Sequence, residues 1–130
     1  MKKKIFSLTL LFVLLFPCLF LFTACGELKT LSNKTLVFSK VEVTGDLNAS
    51  DYELMYKNCK FTFSKDSVVC NDGTSDGPTN YFKVEDGKVY IRAEEDEEYS
   101  SIAYAELSGK YMIVTQTVGE NTVKVYFAEK

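Results

Sequence analysis

Four cysteines and one run of five carboxylates are the groups in this 130-residue chain whose type and spacing could do chemistry; it contains no histidine. Without histidine the usual general base and the commonest nitrogen ligand are both missing. Ser-His-Asp, Cys-His and zinc-site arrangements therefore fail together. No glycine-rich phosphate loop occurs either. A carboxylate pair could still hydrolyse glycosides, and its members would come from Glu94-Glu95-Asp96-Glu97-Glu98. That run lacks the glycine-punctuated ligand spacing of a calcium loop, so it reads as a solvated turn that discourages edge pairing. The residue types point away from an enzyme, with no catalytic residue, no metal and no cofactor expected.

The cysteines divide by position. Lys2, Lys3 and Lys4 precede an almost unbroken run of Leu, Phe and Val from Ile5 to Phe22. This is the layout of a secretory signal, with positive charge holding the N-terminus inside while the apolar segment is exported. Leu21-Phe22-Thr23-Ala24-Cys25 then resembles the lipobox of bacterial lipoproteins. The resemblance implies removal of residues 1–24 and a diacylglycerol on the Cys25 thiol. Cys18 is a poor alternative acceptor because Pro17 precedes it. Two other readings compete: a retained membrane anchor, since the run approaches the roughly 20 residues that span a bilayer, and an ordinary secretory signal. Pro17 within the run and the small pair before Cys25 favour processing. The expected location is the extracytoplasmic face of the cell membrane, held by the Cys25 lipid.

Processing leaves about 106 residues, one domain's worth. All 18 acidic residues follow Cys25 and three basic ones leave with the leader, so the formal charge of the remainder is about −6. Such a surface repels phosphates and anionic lipid heads, which argues against nucleic acid as a partner. Cys59 and Cys70 are the remaining pair, and an even pair in an exported domain points to a disulfide. The alternative is two small buried hydrophobes.

The elements that must position these groups are strands. Residues 25–33 read as the lipidated cysteine and a short polar tether, reaching at most about 28 Å beyond Cys25, and residues 34–130 as the domain. Lys34 to Thr44 opens it, with Leu36 and Phe38 on one face and Val41 and Val43 out of phase. That slip predicts a β-bulge at Ser39-Lys40. Asn48 to Tyr56 reads as a loop with about one helical turn. Lys57–Ser64 and Ser67–Asn71 form a hairpin across Lys65-Asp66; pairing Phe63 with Val68 places Cys70 opposite Phe61, one diagonal step from Cys59. A bond there needs a local register adjustment. Asn71 to Thr79 reads as a loop. Asp86-Gly87 specifies a two-residue hairpin in which Val84 opposes Val89 and Phe82 opposes Ile91. On its outer face Lys83 opposes Tyr90 and Tyr81 opposes Arg92, a setting for cation–π contact. Tyr99–Leu107 and Lys110–Val118 form the next hairpin, with Ala103, Ala105, Leu107, Met112 and Val114 inward. Thr122 to Ala128 closes the chain with Val123, Val125 and Phe127 inward, and no strand is expected to contain proline.

About eight short strands joined by tight turns predict an all-β domain: a small eight-stranded antiparallel up-and-down barrel, or alternatively an antiparallel β-sandwich. The pattern resembles the small lipocalin-like domains carried on bacterial lipoproteins. The resemblance rests on Lys34-Thr35-Leu36-Val37-Phe38, Phe61-Thr62-Phe63, Tyr81 to Ile91 around Asp86-Gly87, Leu107-Ser108-Gly109-Lys110 and Tyr126-Phe127. The Gly-x-Trp that opens true lipocalins is absent, and Leu36 stands about where its aromatic would be. Two functions follow as expectations. In the first, the barrel binds a small, partly apolar ligand inside or at its mouth. In the second, five phenylalanines and eight tyrosines fill the barrel, and Tyr81, Tyr90 and Arg92 on the outer face contact an envelope protein.

Overall fold

The computed structural model describes residues 27–130. The proposed signal segment, Cys18 and Cys25 lie outside the described residues. Eight strands form a closed antiparallel barrel in sequence order, β1 Thr35–Val43, β2 Lys60–Phe63, β3 Ser67–Asn71, β4 Asp76–Glu85, β5 Lys88–Arg92, β6 Ala105–Ser108, β7 Tyr111–Val118 and β8 Asn121–Glu129. Pairing of β1 with β8 closes it, so the up-and-down barrel holds and the sandwich does not.

The turns set the register. Asp86 (φ 54°) and Gly87 (φ 73°) both sit in the left-handed region that a type I′ hairpin requires. Val84 opposes Val89, Phe82 opposes Ile91, Lys83 opposes Tyr90 and Tyr81 opposes Arg92. The bulge in β1 falls at Ser39, where the register against β8 slips between Phe38 and Lys40. It keeps Val41 against Val125 and Val43 against Val123, on the core side, after the parity of Leu36 and Phe38 has run out.

Four expectations are corrected. First, β4 begins at Asp76, so the expected loop shrinks to a turn at Asp72–Ser75 and Pro78 lies inside a strand. The β3 register is irregular between Val69 and Asn71, and β4 meets β5 only from Tyr81 onward, so the missing N–H of Pro78 breaks no regular ladder. Second, β6 is four residues long, and residues 99–104 are irregular. Third, Asn48 to Tyr56 holds an eight-residue helix, α1 (Ala49–Tyr56). The Asn48 side chain caps it by accepting from Ser50 N at 3.0 Å, and Tyr52 and Tyr56, four residues apart, rest on the barrel core.

The fourth correction concerns the expected tether. Leu28 and Leu31 are buried, Leu31 to 1% exposure, in one core with Leu36, Phe61, Phe82 and Phe127. Residues 27–33 form a strap across the barrel base. Leu28 N donates to Gly109 O at 2.6 Å, Ser32 Oγ to Lys65 O at 2.7 Å, and Asn33 N to Ser64 O at 3.2 Å. The strap thus bridges the β6–β7 and β2–β3 turns, and the domain starts before Lys34.

At the opposite end, the Asp72 carboxylate is held down at about 2, first by the Thr74 hydroxyl and then by the Thr74 and Ser75 N–H groups. A depressed carboxylate stabilises the folded turn above about pH 4, where an unfolded aspartate is ionised, and loses that effect as pH falls through about 2. Amide exchange at Thr74 and Ser75 should therefore accelerate selectively over that window. Uniform behaviour across β3 and β4 would contradict the hydrogen-bonded carboxylate.

Candidate functional site

Strand direction sorts the molecule into two unlike ends. The base, where the strap runs, carries the β2–β3, β4–β5 and β6–β7 turns. The mouth carries α1, the β3–β4 and β7–β8 turns and the long β5–β6 connection. By this division the base bears seven lysines against six carboxylates. The mouth bears eleven carboxylates, five of them in Glu94 to Glu98, against Lys57, Lys60 and Arg92. The formal net charge is therefore about −8 at the mouth and about +1 at the base.

Just inside the mouth lies the most chemically varied group of side chains. Tyr56 from α1, Cys59, Cys70 from β3, Tyr104 from the β5–β6 connection and Gln116 from β7 surround a cavity of about 70 Å³ floored by Phe61, Val125 and Phe127. Gln116 Nε2 donates to the Tyr56 hydroxyl at 2.6 Å, tying the helix to the opposite wall. The Tyr104 ring lies edge-on to Phe61 at 6.2 Å while 41% of the residue stays accessible. Burial of its hydroxyl end pushes its pKa up to about 12, with lesser contributions from the nearby thiols and Tyr56.

Cys59 and Cys70 are both free thiols, so the expected disulfide is not formed. Cys70 faces Phe61 across the β2–β3 ladder, while Cys59 precedes β2 and directs its sulfur toward Met55 O, 4.0 Å away. Regular pairing leaves the two on a diagonal, and the structure contains no bulge in β2 to bring them together. Burial raises both pKa values, and the Asp72 charge adds to each. A thiol held above its ordinary pKa is a poor nucleophile. Alkylation by iodoacetamide at pH 8 should be slower than for free cysteine, because less of each buried thiol is present as thiolate. Mass spectrometry would follow it, and labelling as fast as free cysteine would contradict the buried environment.

The outer face of β4 and β5 carries the expected cluster and one unexpected member. Arg92 lies over Tyr81 at 6.0 Å and Lys83 over Tyr90 at 5.4 Å. Tyr99 folds down from the acidic connection between the two cations, 4.5 Å from Arg92 and 4.9 Å from Lys83. Arg92 Nη1 also donates to Glu97 O at 2.9 Å. Tyr81, Tyr90 and Arg92 are half-buried in this arrangement. The sequence signal for Tyr99 was an aromatic beside five carboxylates, which reads equally well as the start of a strand. A second cluster on the far wall places Lys40 over Tyr126 at 4.6 Å and over Tyr111 at 5.4 Å.

Glu94 to Glu98 do not converge on one point, and among the described residues no three carboxylate or thiol groups are placed to hold a metal ion. Comparison of the chain with protein-family models, with curated proteins and with solved structures finds no match.

Proposed function

We propose that the chain is a lipoprotein of the extracytoplasmic membrane face, lipid-anchored at Cys25, whose lipocalin-like barrel is a filled scaffold acting through its outer surface on another envelope protein. The observation that carries this reading is the interior. Phe61 packs edge-on to Phe127 at 4.8 Å and Phe63 to Phe82 at 4.9 Å, with Met112, Val89 and Val123 fully buried around them. The base is stoppered by Leu28 and Leu31. The cavity inside the mouth is about 70 Å³, less than a quarter of the smallest usual ligand pocket of about 300 Å³. Depressions of about 320 and 300 Å³ flank the strap, but they are open grooves outside the barrel.

The strap also supports an orientation. Three residue steps separate Cys25 from Leu28, at most about 10 Å of chain, so a lipid on Cys25 would hold the base against the headgroups. The near-neutral base, with seven lysines against six carboxylates, then faces the headgroups, and the carboxylate-rich mouth points away from their negative charge. The β4–β5 face, with Tyr81, Tyr90 and Arg92, is presented sideways; aromatic rings beside a guanidinium suit protein contact.

A fluorescent fatty-acid probe titrated into the soluble domain, residues 26–130, tests the filled interior. The expected result is no saturable signal. One-to-one saturation, abolished by widening neither face but by a bulky Val125→Phe at the cavity floor, would replace this reading with that of a carrier.

A further inference from the structure

The barrel is closed at its base but split at its mouth. β7 pairs with β8 along its whole length, from Tyr111 to Val118, whereas β6 covers only Tyr111 to Ile113 on the other side. β5 pairs with β4 up to Arg92 but with β6 only at Lys88 and Val89. Above β6, Val114–Val118 of β7 and Tyr90–Arg92 of β5 therefore flank a slot. At the base β6 fills the same interval, which is one strand wide, with neighbours about 4.8 Å to each side.

The parity of the hairpins says which backbone groups face that slot. In a two-residue hairpin the closing pair exchanges both hydrogen bonds, and such pairs recur at every second residue. From Val118 opposite Asn121, the residues bonded to β8 are Val118, Gln116 and Val114. The N–H and C=O groups of Thr115 and Thr117 point the other way, into the slot. The β6 side gives the same parity, since Ser108 opposite Tyr111 is a closing pair and Ile113 opposes Glu106. On β5, Ile91 faces the slot by the same rule. Tyr104 N bonds Val89 O at 2.8 Å, below the slot, and among the described residues no loop backbone group bonds Thr115, Thr117 or Ile91.

Edge strands are normally blunted by lysine, proline or a bulge. Val114-Thr115-Gln116-Thr117-Val118 has none of these and is four-fifths β-branched, a sequence suited to receiving another strand. Beside it lies a groove of about 240 Å³ lined by Ile102, Tyr104, Ile113 and Thr115, with Ile102 78% exposed. The rim is the acidic mouth: Glu94 to Glu98 on one side and Glu120 on the other.

We propose that the β7 edge at Thr115 and Thr117 is a strand-addition site for an extended segment of a partner protein in which basic and apolar residues alternate. Backbone bonds to Thr115 and Thr117 supply the docking, the Ile102–Ile113 groove takes the apolar side chains, and the carboxylate rim selects the basic ones. A second copy of the chain is disfavoured, because it would bring two carboxylate-rich mouths together. This site is distinct from the β4–β5 face, although it rests on the same reading of the barrel as a scaffold for protein contact.

Residue-resolved hydrogen exchange on the full chain in detergent tests it, with a short peptide alternating lysine and valine as probe and its glutamate–valine counterpart as control. In the free protein, Thr115 and Thr117 amides should exchange at least about tenfold faster than Val114 and Gln116, and the lysine peptide should slow them by about as much. The glutamate peptide should leave them unchanged. Thr115→Pro removes an edge donor without touching a bond to β8, so it should keep the melting temperature and lose the peptide effect. Protection of both amides in the free chain, no slowing by the lysine peptide, or equal slowing by the glutamate peptide would each overturn the site. None of these outcomes bears on whether the barrel interior is filled, which ligand titration decides separately.

Discussion

Shortening the chain so that it begins at Lys34, where the alternating pattern begins, is expected to lower the melting temperature by on the order of 20 °C or to abolish folding. Leu28 and Leu31 are the cause. Leu31 is 1% exposed and Leu28 6%, and a buried leucine truncated to alanine costs about 2–5 kcal/mol depending on how far the site collapses. Two such losses compare with a total stability of about 5–15 kcal/mol for a domain of this size. Each kcal/mol corresponds to roughly 4–8 °C in a chain of about 100 residues. The single change Leu31→Ala should cost about 3 kcal/mol, read from thermal unfolding of the soluble domain. Ser32→Ala, which removes one exposed hydrogen bond to Lys65 O, should cost less than about 1 kcal/mol. If trimming to Lys34 leaves the melting temperature within the error of the measurement, residues 27–33 are a tether after all.

Changing Cys25 to Ala is expected to move the protein from the membrane to the soluble fraction almost completely. A diacylglycerol places two acyl chains in the bilayer at about 0.8 kcal/mol per buried CH₂, whereas one chain gives only marginal binding. The base lysines would not replace that energy, since the six carboxylates at the same end offset most of the roughly 1 kcal/mol that each lysine adds near an anionic surface. The wild type should carry the acyl mass on its N-terminal peptide and the variant should not. Membrane association that survives the change would assign anchoring to the Ile5–Phe22 run as a retained helix.

Barrel topology could be read because hairpin turns act locally: Asp86-Gly87 fixes four cross-strand pairs by its own backbone preference. The bulge in β1 showed as a parity slip for the same reason. The strap did not show. Leu28 and Leu31 sit in a polar stretch with no strand or helix period, and their burial depends on the β2–β3 and β6–β7 turns closing over them. Helix α1 was underread because it buries no residue fully, so its apolar period is weak and only the Asn48 cap marks its start. The free thiols follow from β2 pairing without the bulge that a diagonal disulfide would need. At the outer face, Tyr81, Tyr90, Lys83 and Arg92 came directly from hairpin register, but Tyr99 reaches them through an irregular connection that no local rule places. The slot beside β7 has the same origin: residues 99–104 read as strand and fold as loop.

A filled barrel that acts from its surface carries no small molecule inside. Native mass spectrometry of the domain, residues 26–130, purified from producing cells under non-denaturing conditions, measures this most directly. The filled interior predicts a single species at the mass of the bare polypeptide. A stoichiometric adduct of one small molecule, retained by the folded domain and lost on unfolding, would contradict it.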